Sequence, residues 1–290
     1  MKKVNSEIIL LILILLFAFF IRIYSLGNTP FWIDESISSI ASRNIIEKGI
    51  PQFDSGVLYD RAYVFHYLQS FFFIFGVNDF TARLVSVIFG LLTVLLAYLI
   101  GKEYFKSGGL ISALFMAVFY LEVFYSRQAR FYQLFQLMFF LSLYLLYKSK
   151  ENPKLIYSAL ISFIITVDIQ TAGLVLVPFF IIDILMYNKK YLSLIPLGVF
   201  IYKFIGLFKV SSSSTTSAVN YISKYSSYLT NIKYLFILFV PGAIWSFKKN
   251  KRLTFLLIVP SLMLLCGIFF VKYFALRYAY FFVFPLVLYS

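Results

Sequence analysis

Apolar runs long enough to cross a lipid bilayer recur from one end of this chain to the other, and that pattern constrains its fold more than any other feature. A hydrocarbon core about 30 Å thick takes roughly 20 mostly apolar residues per helix. The candidate runs are Ile8–Leu26, Asp79–Ile100, Gly109–Phe124, Phe131–Tyr147, Leu155–Val167, Ala172–Tyr187, Leu192–Phe208, Ile232–Phe247, Leu253–Val271 and Tyr278–Ser290. Composition closes the other routes: 61% of the 290 residues are hydrophobic and 13% charged, with a mean hydropathy of +0.88. A soluble domain carries about 25% charged residues, and disorder needs low hydrophobicity with high charge. The expectation is an all-α polytopic membrane protein, one transmembrane domain over residues 1–290, with about nine to ten transmembrane helices. Ile8–Leu26 follows Lys2 and Lys3 and has no small-residue cleavage site after it, so it reads as a retained anchor, not a removed signal.

The formal charge of +14 would suggest nucleic acid in a soluble protein. In a membrane protein Lys and Arg collect in short cytoplasmic loops and set orientation, so no nucleic-acid partner is inferred. Cys266 is the one cysteine, which excludes an intrachain disulfide. His66 is the one histidine, which removes metal sites built on several His or Cys ligands. No cofactor is called for, and only a carboxylate-based divalent cation site stays open.

With the N-terminus cytoplasmic, alternate connections become Lys102–Lys106, Lys148–Lys154, Asn188–Lys190 and Lys248–Arg252, short and lysine-rich as cytoplasmic loops are. The outer connections are then Tyr24–Asn78, the Ser126–Arg130 corner, Asp168–Thr171, Val210–Asn231 (with the polar run Ser211–Ser217) and Lys272–Arg277. The inner connections use lysine almost exclusively, with Arg252 the exception, whereas the outer side holds Arg22, Arg43, Arg61, Arg83, Arg127, Arg130 and Arg277. Most carboxylates share that face, among them Asp34, Glu35, Asp54, Asp60, Glu122 and Asp168. Helix-end arginines that snorkel, with surface ion pairs, account for this. The sharper alternative is an outward-facing site for an anionic, lipid-borne group, because the guanidinium fork suits phosphate and stays charged in a dry site.

The first outer loop, residues 24–78, is too long for a passive connector. Two helices are expected in it, lying along the membrane interface. Glu35–Lys48 places Ile37, Ile40, Ala41 and Ile45 on one face, and Tyr63–Gly76 is apolar but too short to cross. Asp34 precedes the first as an expected N-cap. The functional alternative, compatible with the cap, needs this carboxylate held at the membrane surface to take a proton from an incoming hydroxyl.

Here the residues resemble a known family, the GT-C glycosyltransferases of the protein-O-mannosyltransferase and aminoarabinose-transferase type (glycosyltransferase family 39). The resemblance rests on Trp32-Ile33-Asp34-Glu35 after the first span, then Gly56-Val57-Leu58-Tyr59-Asp60-Arg61 and Phe65-His66-Tyr67-Leu68 before Phe75-Gly76. Ala82-Arg83-Leu84-Val85-Ser86 runs into Phe89-Gly90-Leu91-Leu92-Thr93-Val94, and Tyr125-Ser126-Arg127-Gln128-Ala129-Arg130-Phe131-Tyr132 follows the third span. Arg277-Tyr278 and Pro285 continue it near the C-terminus. Two departures stand out: Gln128 replaces a frequent Glu, and family members are usually longer, so a truncated chain is expected.

The resemblance implies a membrane enzyme that takes a sugar from a polyprenyl-phosphate carrier and passes it to a protein, lipid or glycan acceptor outside the cytoplasm. It implies Asp34 as base or acceptor-orienting carboxylate with Glu35 beside it, and Arg83, Arg127, Arg130 and Arg277 toward the donor phosphate. Tyr59 and Arg61 would hold sugar or phosphate, and His66 would be a hydrogen-bonded interfacial residue near the substrate. Glu122 is expected to pair with Arg83 or Arg127, and Asp168 to contact the acceptor or cap a helix. Arg127 and Arg130 share one face if their corner is helical. A transporter or flippase of lipid-linked sugars is the alternative, and a non-catalytic scaffold a third. Transporters place charges at the midplane in paired repeats, whereas these charges cluster at one face and no internal repeat is evident.

Overall fold

The computed structural model describes residues 6–187, 191, 233–267 and 280–289. The span expected at Leu192–Phe208, the loop 210–231 and Arg277 lie outside the described residues. Twelve α-helices are present among the described residues: α1 Ser6–Ile23, α2 Ile33–Lys48, α3 Tyr63–Phe72, α4 Asp79–Lys102, α5 Gly108–Val118, α6 Tyr120–Ser126, α7 Tyr132–Lys148, α8 Leu155–Ile169, α9 Val177–Tyr187, α10 Lys233–Lys249, α11 Lys251–Gly267 and α12 Val283–Tyr289. Strand pairing there is limited to one isolated bridge, Gln52 to Leu58, within the first loop. The protein is an all-α membrane protein.

By length and apolarity α1 and α4 each suffice to cross a membrane, and α5 with α6 makes a third if the bent pair is one span. Other apolar helices are shorter, such as Leu155–Ile169; the sequence expectation of nine to ten counted runs of this kind. The two long helices play different parts. Only 11% of α1 is buried, against 67% of the most apolar stretch of α4. Leu13, Leu16 and Phe20 of α1 are exposed, which suits a helix bathed in lipid, while α4 is the central post.

The expected single span Gly109–Phe124 is bent by 63° between α5 and α6, where Phe119 is extended. The bend frees carbonyls from the helix ladder, and a fully buried arginine takes them up. Arg22 donates from Nη1 to the carbonyls of Ala117 (2.8 Å) and Ala18 (3.2 Å), and from Nη2 to that of Met116 (3.2 Å). Gly90 leaves the room, since a Cβ there would press on Ser126 Cβ and Arg22 Nε. Another close approach joins α4 to α5, where a Cβ on Gly101 or Gly108 would strike the other residue's carbonyl oxygen. Small residues let membrane helices come this near.

The chain forms two compact units. The first holds the described residues up to Met138 with Asp168–Gln170, and the second holds Phe139–Val167 with those from Thr171 on. In the second, Phe140 stacks on Phe284 with ring centroids 4.2 Å apart, and Phe239 meets Phe282 edge-on at 5.7 Å.

Candidate functional site

The first unit gathers most of the singled-out polar residues around the first turn of α2. The helix begins at Ile33, with Trp32 as an extended N-cap (φ −83°, ψ 165°) whose side chain makes no capping hydrogen bond. Asp34 therefore sits inside the first turn instead of capping it. Glu35, three residues past the cap, reaches back to accept the Trp32 N–H at 3.3 Å, one half of a capping box.

The rest of Glu35 is occupied too. Oε1 accepts Arg83 Nε (2.8 Å) and the Ala129 N–H (2.8 Å), and Oε2 accepts Arg83 Nη2 (2.9 Å) as well as Trp32. An ionised carboxylate has about four acceptor sites, and all are filled. Both side chains are almost fully buried, at 4% and 3% exposure. Arg83 directs its remaining donors to the carbonyls of Leu26 and Thr29, each at 2.8 Å, and Pro30 at 3.3 Å. Its guanidinium lies 5.2 Å over Phe31. The pair thus ties α2, α4, the segment after α1 and the corner before α7 together. The sequence reading placed Arg83 toward a phosphate; in this conformation all its N–H groups serve the clamp.

Arg130 is the second buried guanidinium, 6% exposed. Nη1 donates to Ser38 Oγ (2.6 Å) and the Asp34 carbonyl (3.0 Å), and lies 3.5 Å from Tyr59 OH. Its ring contacts are with Phe131 at 4.4 Å and Tyr132 at 5.4 Å. Nε has no partner among the described residues. The corner is a turn, not a helix, because Arg130 N–H bonds the Gln128 carbonyl at 2.7 Å. Arg127 and Arg130 consequently diverge. Arg127, half-buried, donates from Nη1 to the Ile21 carbonyl at 2.9 Å. Burial, and then the neighbouring Arg83 charge, holds it below the usual arginine range.

Behind this cluster lies a polar seam between α2, α3 and α4. Gln69 Nε2 donates to the Ala82 carbonyl (2.8 Å), which turns Oε1 toward the Ser42 hydroxyl (2.6 Å). With the Ser42 proton committed there, the 2.8 Å contact to His66 requires Nδ1–H of the imidazole to donate to Ser42 Oγ. His66 Nε2 is then a lone pair, buried and without a partner among the described residues. Burial, reinforced by the nearby Arg130 charge, pushes the His66 pKa down to about 3, so the ring is neutral. Tyr59, half-buried, packs edge-on against it at 5.0 Å.

Asp168 caps α3. Its Oδ2 accepts the Val64 N–H (3.1 Å) and its carbonyl the Ala62 N–H (3.0 Å), which holds Ala62 in the left-handed region at φ 52°. Of its two expected roles the helix cap is the one seen. Glu122, expected opposite Arg83 or Arg127, instead accepts Gln136 Nε2 at 2.8 Å, because Arg83 already has Glu35. Arg61 is exposed. Among the described residues no group of three or more His, Cys, Asp or Glu is gathered that could hold a metal ion.

Sequence reasoning missed Ser38, Ser42, Gln69 and the Ala129 N–H. The signal for the serines was present: Glu35, Ser38, Ser42 and Ile45 fall on one helical face, and α2 buries that face, while Ile37 and Ile40 are only half-buried.

The family comparison places this all-α membrane fold among the membrane glycosyltransferases. The model of the dolichyl-phosphate-mannose-protein mannosyltransferase family matches residues 60–211, more than half of the chain, and the chain belongs to that family. The match includes Arg61, His66, Arg83, Arg127, Arg130 and Asp168 and starts downstream of Asp34 and Glu35. Neither a curated protein nor a solved structure matches it.

Proposed function

We propose that the protein transfers a mannose-type sugar from a polyprenyl-phosphate donor to a hydroxyl acceptor on the extracytoplasmic face of the cell membrane, with inversion at the anomeric carbon. The N-terminus is cytoplasmic in this reading, the chain crosses the membrane several times, and the first loop is outside. Breaking the bond from the anomeric carbon to phosphate leaves negative charge on the lipid phosphate. Guanidinium groups stabilise such charge best where water is excluded. Arg130, buried with an Nε that has no partner among the described residues, is assigned to that phosphate together with Arg127, which turns a different way from the corner, and Tyr59 to the sugar. A direct displacement needs one base to take the acceptor proton, unlike the carboxylate pair of retaining hydrolases.

The observation that carries the assignment is the saturation of Glu35. A base needs a lone pair for the incoming proton, and Glu35 has none to offer. Asp34, the neighbouring carboxylate, has its backbone carbonyl gripped by Arg130 and is only half-buried. Asp34 is the proposed base, and Glu35 and Arg83 are positioning residues. The test is transfer of radiolabelled sugar from polyprenyl-phosphate donors to acceptors in membranes holding the protein. Asp34→Asn should lower transfer by about 10²-fold or more with normal expression and donor binding. Normal turnover in a well-folded Asp34→Asn protein would end the assignment.

A further inference from the structure

The second unit carries a groove of about 380 Å³ between α9 and α11, within the usual range of small-ligand pockets. Its walls are apolar, with Phe179, Met186, Phe247 and Phe255 among them, and Tyr187 and Lys251 also line it. Arg252 and Asp183 lie in the same groove but neutralise each other: Nε meets Oδ1 at 2.9 Å and Nη2 meets Oδ2 at 2.8 Å. The other Arg252 donors reach the carbonyls of Tyr147 (3.0 Å) and Leu146 (3.1 Å). That pair holds α7, α9 and α11 together.

The uncancelled charge at the groove is lysine. Lys251 lines it, and the Lys150 ammonium sits 5.0 Å over the Tyr187 ring; both lysines are exposed. The flanking connections Lys148–Lys154 and Lys248–Arg252 contain one acid, Glu151, and Lys148 pairs with it at 2.8 Å. An apolar channel bordered by excess ammonium groups matches one kind of membrane molecule, with a hydrocarbon chain and an anionic head. Basic pockets between membrane helices bind such heads.

We propose that this groove is a binding site for an anionic glycerophospholipid, with an acyl chain along the α9–α11 groove and the phosphate held by Lys150 and Lys251. The proposal does not rest on the transferase reading, since none of its residues belongs to the acid–arginine cluster. Native mass spectrometry of the full chain in neutral detergent tests it, with phosphatidylglycerol and phosphatidylcholine of identical chains as probes. Phosphatidylglycerol should be retained about tenfold more strongly. The Lys150→Gln/Lys251→Gln double variant should bring it to the phosphatidylcholine level without changing the apparent melting temperature. Met186→Trp, which fills the groove, should weaken retention of both lipids. Equal retention of the two lipids by the unaltered protein, or a preference that survives in the double variant, overturns the proposal. So does undiminished retention in Met186→Trp, or chainless glycerophosphoglycerol competing as well as the intact lipid.

Discussion

Replacing Glu35 with Gln separates the clamp from the chemistry. The substitution keeps the shape of the side chain but removes its charge and turns one acceptor into a donor facing a guanidinium. Arg83 would then be left 4% exposed with no counter-charge, and the Ala129 and Trp32 N–H groups would share one weakened acceptor. Breaking a buried pair from one side costs about 3–5 kcal/mol. At an unfolding entropy of about 2.1 cal/mol/K per residue, a chain of this length should lose about 5–8 °C in apparent melting temperature. The assay is the fraction of monodisperse protein left after heating in detergent, with Asp34→Asn measured alongside. Asp34→Asn should melt like the unaltered protein, because the carboxylate that bonds the N-cap Trp32 N–H is that of Glu35 and not that of Asp34. A double variant Glu35→Gln/Arg83→Gln, which removes both charges, should recover part of the loss. If Glu35→Gln melts within a degree of the original yet abolishes transfer, the clamp reasoning fails and Glu35 becomes the candidate base.

Further outcomes follow from the same geometry. Arg130→Lys should cut transfer about tenfold or more despite keeping the charge, because a lone ammonium cannot keep the Nη1 bonds to Ser38 and Asp34 while also presenting a planar face to Phe131 and a further donor to a phosphate; equal activity would reduce Arg130 to a simple charge. His66 is held neutral with a folded pKa of about 3 against 6.5 unfolded. Its contribution is therefore intact above about pH 6.5 and is lost progressively as pH falls toward 3, amounting to about 2 kcal/mol by pH 5. Melting curves from pH 7 to 5 should show this slope in the original protein and not in His66→Gln, and parallel curves would refute it. For orientation, in a Cys266→Ser background, a cysteine at exposed Ser55 should react with an impermeant thiol reagent from outside, and one at exposed Lys150 should not; the reverse pattern would sink the proposed sidedness.

Helix positions were readable because apolar runs bounded by charge or Gly leave little choice of ends. The boundary of α2 at Gly49, with its φ of 78°, follows from such a signal. The α5–α6 bend was not readable, since no Pro or Gly marks Phe119 and the group that satisfies the freed carbonyls is a distant arginine in α1. Local patterns identify Arg22 as a helix-end cation and cannot say that it fills a gap in another helix. The acid–arginine cluster was legible in membership and not in pairing. Asp34, Glu35, Arg83 and Arg130 stood out by type, but which guanidinium meets Glu35 depends on how the corner at 127–131 turns. An i, i+3 rule assumed a helix there, and the backbone contact from Arg130 to Gln128 decided otherwise.

The cap on α3 has a consequence in time. Residues 62–64 are closed off by Asp168, 104 positions later than Val64. At about 5–20 residues per second, the ribosome delivers that carboxylate several seconds after the loop helix has emerged. Until then the first N–H groups of α3 lack this partner, and the seam from His66 through Ser42 to Gln69 rests on a helix with an unfinished start. The start of α3 is thus completed only when the far end of α8 arrives, and a chain that pauses or ends before residue 168 is left without that cap.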